Sequence, residues 1–148
     1  MNTETLMFTR LGRYALRTVA IIAGCEQRIT GKDLAARTGV PTSYQSKILR
    51  RLVEADILSA RKGHHGGFAL AHQPERIPLA KVLSAVEALP TSGVCVFNWG
   101  PCSTLDKKWS DSNLNACPCP LHTKWNELSE QVMTWAVETT LADIARQV

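Results

Sequence analysis

Two short helical segments joined by a tight turn constrain the fold of this chain more than any other feature. Thr30 with Asp33 forms a capping box that opens the first segment, and a Gly-Val-Pro turn at residues 39–41 ends it. Thr42 with Gln45, three residues later, forms a second capping signal. Two short helices joined by such a turn predict a helix-turn-helix.

An amphipathic helix precedes this motif and a β-hairpin follows it. Apolar residues at three- and four-residue steps predict a helix over residues 9–25, with three arginines on another face. Residues 57–61 and 68–71 are apolar runs on either side of a glycine-rich turn, which predicts a hairpin. Attached behind a helix-turn-helix, such a hairpin is a wing.

The C-terminal half contains a further helix, a long irregular segment and a longer helix. Apolar spacing predicts a helix over residues 79–89, ended by Pro90 because proline lacks an N–H donor and restricts the residue before it. Residues 91–118 are predicted to form a loop, and a loop of this length favours a functional segment. A second apolar stripe predicts about five turns of helix from residue 121, followed by a short helix over residues 141–145 that docks back.

These elements predict a mainly α fold with a small β wing, in three parts. Residues 1–90 form a winged helix-turn-helix domain, residues 91–119 a cysteine-rich loop, and residues 120–148 a dimerisation helix with a C-terminal tail. Two tryptophans on one helix need a partner surface. The preceding core could cover one end of the stripe, and we expect the rest to pack against the same helix of a second subunit. The expected interface residues are Trp125, Leu128, Val132 and Trp135.

Basic residues are concentrated in the first part of the chain. Residues 1–90 contain 13 Lys and Arg against 7 Asp and Glu, whereas residues 91–148 contain 4 against 6. Positive charge on a helix-turn-helix and a wing is typical of proteins that bind double-stranded DNA, because these side chains neutralise phosphates. A dimer of such readers predicts an imperfectly palindromic operator. The expected DNA-binding residues are Ser43, Tyr44, Lys47, Arg50 and Arg51 in the helix and Arg61, Lys62, His64 and His65 in the wing.

Four cysteines and one histidine lie close together after residue 90. They follow the pattern Cys95-x6-Cys102-x14-Cys117-Pro-Cys119-x2-His122. Thiolates with one imidazole are the ligands that zinc and iron–sulfur clusters take. Pro120 suits the first position of a helix, so we expect Cys119 to cap the long helix, whose positive end stabilises a thiolate. Cys25 lies on an apolar helix face and is expected in the core.

The donors of the cysteine-rich segment also suit chemistries other than a cluster. A closed tetrahedral zinc site and a metal-free thiol–disulfide switch are the alternatives. A catalytic Cys–His pair is the rival from another class, but no third orienting group or oxyanion pattern accompanies it, so no enzyme is predicted. The start of the chain has no long apolar run and no secretory cleavage pattern, which predicts a cytoplasmic protein without a membrane span.

In this order, the segments resemble those of the winged-helix bacterial regulators typified by the iron–sulfur cluster regulator IscR, the nitric-oxide sensor NsrR and the rhizobial iron regulator RirA. The matching segments are LGRYALR, LAARTGVPTSYQSKILRRLVEADIL, RKGHHGGFALA, IPLAKVLSAVEAL, three spaced cysteines, CPLHTKW and TLADI. The resemblance implies a homodimeric transcription factor, usually a repressor, that senses redox state, nitric oxide or iron status. A cluster bound near the dimer interface would change its affinity for DNA.

The resemblance also implies the ligand set Cys95, Cys102, Cys119 and His122. Three cysteines and one histidine resemble the ligands of the two-iron, two-sulfur form rather than the four-iron, four-sulfur form. The chain departs from the family pattern in the longer interval between Cys102 and Cys119, and in the extra thiol of Cys117, which could replace Cys102 or His122. Some relatives take an acidic ligand from the first helix, but Arg13 occupies that position here and cannot ligate iron.

Overall fold

A computed structural model describes residues 8–89 and 121–145 of the chain. The described residues divide into two compact units. The first unit combines residues 8–89 with residues 136–145, and the second contains residues 121–135. The segment 120–148, expected as one dimerisation part, is therefore shared between the two units.

The described elements confirm a mainly α fold with a small β wing. In chain order they are α1 (Arg10–Ala23), α2 (Gly31–Thr38), α3 (Thr42–Glu54), β1 (Leu58–Arg61), β2 (Gly67–Leu70), a 3-10 turn (Pro74–Arg76), α4 (Leu79–Ala85), α5 (His122–Glu138) and α6 (Leu141–Ala145). Within these ranges, no helix is both long enough and apolar enough to cross a membrane.

Helix α2 begins and ends where the local signals predict. The Thr30 hydroxyl oxygen accepts a bond from the Asp33 N–H at 3.1 Å, and the hydroxyl donates to Asp33 Oδ2 at 2.7 Å. Gly39 follows the helix in the left-handed conformation with φ 66°. Both features satisfy backbone groups that a helix end leaves free.

The second predicted capping box, at Thr42, is wrong. The residue that precedes α3 is Pro41, and no side chain caps this helix. Gln45 is instead buried, with its amide nitrogen 3.3 Å from the Thr18 hydroxyl and its carbonyl oxygen accepting from the Thr38 hydroxyl at 3.2 Å. Gln45 therefore links α3 to α1 and α2 rather than closing its own helix.

Helices α3 and α4 both end in a left-handed residue that is not glycine. Asp56 and Glu87 each have φ 55°. The N–H of the next residue donates to the carbonyl five residues earlier, at 2.9 Å after Asp56 and at 2.8 Å after Glu87, which is the Schellman ending. Helix α4 consequently ends at Ala85, and the prediction that it continues to Pro90 is wrong.

The core of the first unit is made by α1 to α4 together with α6. Its fully buried side chains include Val19, Leu34, Ile48, Leu52, Leu83 and Leu141. The Leu141 N–H donates to the Ile77 carbonyl at 3.0 Å, and the Leu79 N–H donates to the Thr139 carbonyl at 2.8 Å. The prediction that the last helix docks back is confirmed, and this helix completes the core.

The wing is an antiparallel hairpin of β1 and β2, as predicted. A further backbone segment joins it, because Ile29 and Phe68 form a bridge with N–H to carbonyl distances of 3.0 and 2.8 Å. Ile29 lies in the linker between α1 and α2. The wing is thus attached to the helical part of the unit through β2, near its turn.

Candidate nucleic-acid interface

Helix α3 presents polar and basic side chains on one face and buries the other face in the core. The exposed predicted residues are Ser43, Tyr44, Lys47 and Arg50. Their spacing of three and four residues places most of them along one side of the helix. This side is open to solvent within the described unit and is available to a groove of DNA.

The two arginines of α3 have different surroundings. Arg50 Nε lies 3.7 Å from Glu54 Oε1, and both side chains are well exposed, at 72% and 65%. An exposed pair of this kind contributes less than about 1 kcal/mol, so a phosphate can replace Glu54. Arg51 is only 22% exposed, and its terminal nitrogen lies 3.2 Å from Glu87 Oε2 in the turn after α4.

Helix α1 adds two side chains beside the start of α3. The rings of Tyr14 and Tyr44 pack edge to face with centroids 5.4 Å apart. Arg17 lies 5.8 Å from the centre of the Tyr14 ring and donates to the Thr38 carbonyl at 3.0 Å. Tyr14 and Arg17 are not among the DNA-binding residues expected from the sequence, although their three-residue spacing places them on one helix face.

The wing carries four exposed basic or imidazole side chains near its tip. They are Arg61, Lys62, His64 and His65. The two imidazole rings lie 4.9 Å apart in an edge-to-face arrangement. A side chain at Gly66 would place its first carbon 2.3 Å from the Arg61 carbonyl oxygen, so the hairpin tip closes only around glycine.

The corner between α3 and the wing is joined by polar contacts. His72 Nε2 lies 2.6 Å from Asp56 Oδ2, and the Lys81 ammonium donates to the Asp56 carbonyl at 3.3 Å. The hydrogen bond with His72, followed by the charge of His72, holds the pKa of Asp56 below its usual value. The segment after β2, helix α4 and the end of α3 therefore meet at Asp56.

The predicted metal ligands lie almost wholly outside the described residues. Those outside are Cys95, Cys102, Cys117 and Cys119. His122 is the first residue of α5, in whose first turn the Trp125 N–H donates to the Leu121 carbonyl at 2.7 Å. Residues 8–89 and 121–145 contain no group of three or more His, Cys, Asp or Glu side chains that could hold a metal ion.

Cys25, the fifth cysteine, packs against the core. Its thiol donates to the Ile21 carbonyl at 3.1 Å, and an Arg37 nitrogen lies 3.3 Å from its sulfur. These contacts are those of a small, partly buried core residue, as the sequence predicts.

Helix α5 and the residue before it carry an exposed apolar row. Leu121, Leu128 and Trp135 are 43%, 41% and 42% exposed, and they repeat every seven residues, which places them on one side of the helix. Trp125 is half-buried and Val132 is buried. Of the four expected interface residues, Leu128 and Trp135 are thus the ones in this row.

Comparison with known proteins agrees with this geometry. The profile of the family described as Rrf2, iron-dependent transcriptional regulator, matches residues 8–147. The chain is 31% identical over 147 residues to protein rrf2 of Nitratidesulfovibrio vulgaris, covering 95% of this chain and 88% of that protein. It is 26% identical over 143 residues to the HTH-type transcriptional regulator IscR of Xenorhabdus nematophila, covering 95% and 80%.

The fold is also that of a solved regulator. The structure of T. potens IscR matches with a TM-score of 0.70 at 18% identity, covering 99% of this chain and 90% of that one. The relatives are regulators of transcription and not enzymes. The chain therefore belongs to the Rrf2 family and is a DNA-binding transcriptional regulator with a winged helix-turn-helix fold.

Proposed function

We propose that this regulator is a homodimeric repressor whose affinity for operator DNA is set by an iron–sulfur cluster. The observation that carries the proposal is that α3 and the wing both carry exposed basic side chains on one compact unit. A cluster that responds to redox state, nitric oxide or iron supply would then control how this surface meets DNA.

Helix α3 is the expected reader of the major groove. Its first residues include Ser43 and Tyr44, and the N-terminal part of such a helix usually contacts base edges. Lys47 and Arg50 follow on the same exposed side and are placed to neutralise phosphates. Arg51 is a weaker candidate contact because it is half-buried against Glu87.

The wing carries further exposed basic side chains of the same unit. Arg61 and Lys62 are exposed at the end of β1, and His64 and His65 are exposed at the tip. A narrow hairpin with cationic side chains fits the backbone or the minor groove beside the site that α3 occupies.

A selection experiment tests the DNA-binding surface. The protein is used to enrich its preferred site from a random-sequence duplex pool, and affinities for that duplex are measured by gel shift at several salt concentrations. Lys47→Ala and Arg50→Ala should each weaken binding. Each should also reduce by about one the salt slope, which is the steepness with which the logarithm of the affinity falls with the logarithm of the salt concentration. Arg76→Ala, which removes an exposed arginine in the 3-10 turn, is the matched control. Unchanged affinity in the α3 variants would remove this surface from the proposal.

The exposed row on α5 supports a dimer. Large apolar side chains that are two-fifths exposed at seven-residue spacing are a natural contact for the same row of a second copy. Two copies would place two α3 helices one or more DNA turns apart and require an imperfectly palindromic operator.

The cysteine-rich segment supports a cluster through the chemistry of its donors. Cys95, Cys102, Cys119 and His122 offer three thiolates and an imidazole, which suit a two-iron, two-sulfur cluster. Bound there, a cluster would supply a redox-sensitive cross-link between the cysteine loop and the start of α5. Its loss would change DNA affinity by a coupling energy of about 1–3 kcal/mol.

Anaerobic purification tests the cluster. Iron and acid-labile sulfide in equal amounts are the expected result, whereas zinc, or neither metal, would replace the cluster with a structural zinc site or a thiol–disulfide switch. His122→Ala should make the cluster labile and leave the dimer intact, and Cys25→Ala should leave the cluster unchanged. A fully occupied cluster in the His122 variant would assign the fourth ligand to Cys117.

A further inference from the structure

Arg28 lies in the linker between α1 and α2, and its side chain reaches both strands of the wing. One terminal nitrogen donates to the Ser59 carbonyl at 3.0 Å and to the Gly67 carbonyl at 3.1 Å. The other donates to the Ser59 hydroxyl at 3.0 Å. Ser59 belongs to β1 and Gly67 to β2, so a single guanidinium binds both strands of the hairpin.

The residue after Arg28 also binds the wing, through its backbone. Ile29 exchanges two backbone hydrogen bonds with Phe68. Gly67 allows this close approach, because a side-chain carbon there would lie 2.5 Å from the Ile29 carbonyl oxygen. An isolated two-stranded hairpin is marginally stable in water, so the orientation of the wing depends on this attachment.

Arginine is suited to this position by its geometry. The planar guanidinium presents several N–H donors in a fixed fork and can bond two carbonyls and a hydroxyl at once. The side chain is half-buried, which shields these bonds from water more than surface contacts are shielded. A lysine would keep the charge but lacks the fork that reaches both strands.

These contacts of Arg28 lie next to the residues of the wing that are expected to bind DNA. Gly67, whose carbonyl Arg28 binds, is paired in the hairpin with Arg61. Lys62 follows Arg61 at the start of the tip. The orientation of these two cations relative to α3 is therefore set at the rung that Arg28 holds.

We propose that Arg28 is a positioning residue for DNA binding, which holds the wing at the angle that lets Arg61 and Lys62 contact DNA while α3 occupies its groove. The proposal rests on the proposed function, in which α3 and the wing bind the same site. Arg28 itself donates its three described bonds to the wing and not to DNA.

A set of variants tests this role on the duplex that the wild-type protein selects from a random pool. Arg28→Met should lower affinity about fivefold or more and reduce the salt slope by about two, as Arg61→Ala/Lys62→Ala does by removing two phosphate contacts. Combining Arg28→Met with Arg61→Ala/Lys62→Ala should lower the affinity little more than either change does alone, because a misplaced wing no longer brings its cations to the DNA. Arg28→Lys should give an intermediate salt slope.

Controls separate positioning from stability and from charge. Arg76→Met removes the same charge at an exposed site and should leave the salt slope unchanged. Circular dichroism tests whether each variant is folded at the assay temperature. If Arg28→Met is unfolded, Arg28→Lys is compared with and without Arg61→Ala/Lys62→Ala in its place.

Two results would overturn the role of Arg28. One is a salt slope that stays at the wild-type value, and the other is a loss of affinity that adds fully to that of the wing variant. A wild-type protein that selects no sequence would instead refute the proposed function.

Discussion

Replacing Gln45 tests whether a buried polar network holds α3 in place. Gln45 is 2% exposed, and its amide bonds the hydroxyls of Thr18 on α1 and Thr38 on α2. Thr38 Oγ1 also accepts from the Val40 N–H at 3.2 Å, which ties the turn to the same group. Among the described residues, every buried side-chain nitrogen and oxygen has a partner.

Gln45→Met keeps the length of the side chain and removes both hydrogen bonds. Each bond contributes about 1 kcal/mol net, so the variant should lose about 2 kcal/mol of unfolding free energy. The Thr38 hydroxyl can turn to the Ala35 carbonyl, 3.4 Å away, which limits the loss on that side. For a chain of this size the expected decrease in Tm is about 4–8 °C.

A double-mutant cycle with Thr18→Val isolates the bond between α1 and α3. Thr18→Val alone leaves the Gln45 amide without its partner, whereas the double variant removes both groups and should recover about 1 kcal/mol of the summed losses. Urea unfolding followed by circular dichroism, at one protein concentration for all variants, measures these free energies. Strict additivity, or a Gln45→Met variant as stable as the wild type, would refute the network.

Three further predictions concern the wing, the corner and the assembly. Gly67→Ala should cost about 1–3 kcal/mol in urea unfolding, because φ is +121° there and a methyl group would meet a carbonyl. The lowered pKa of Asp56 means that its pairing with His72 contributes stability above the unfolded pKa of 3.8 and loses this contribution as pH falls. The stability deficit of Asp56→Asn near neutral pH should therefore shrink as pH falls below 3.8. Leu128→Glu should give monomers in sedimentation while Val137→Glu, on an exposed site outside the expected interface, should not; equal masses for both would contradict the proposed dimer contact.

The parts of the fold that sequence predicts are those with local signals. Thr30, Asp33 and Gly39 lie within ten residues of one another, and each acts on the backbone of the helix that it bounds. The glycine-rich tip between two apolar runs likewise identifies the wing. In each case the residues that determine the structure are neighbours in sequence, so spacing is sufficient information.

The parts that sequence misses depend on contacts across the fold. Gln45 has the spacing of a capping residue, but its partners on α1 and α2 are visible only when the three helices pack. Glu87 ends α4 in a left-handed conformation that sequence patterns assign to glycine or asparagine. Arg28 and Ile29 join the wing from a linker about forty residues away, without any periodicity that marks them.

The candidate interface shows the same division. Exposed Lys47, Arg50, Arg61 and Lys62 follow from helix periodicity and hairpin geometry, because a polar residue on the outer face of an amphipathic element is in solvent by default. Arg51 differs from this expectation because Glu87 lies beside it in the fold. The metal ligands remain a prediction from sequence, since they lie outside the described residues apart from His122.

The return of α6 into the first unit has a consequence for biosynthesis. Leu141 is fully buried beside α1 and bonds the backbone just before α4, so the core of the DNA-binding unit is incomplete without it. During translation, residues 91–119 are made before residues 136–145. A nascent chain therefore cannot finish its DNA-binding unit until the cysteine-rich segment has been synthesised, and newly made protein reaches DNA only with that segment already attached.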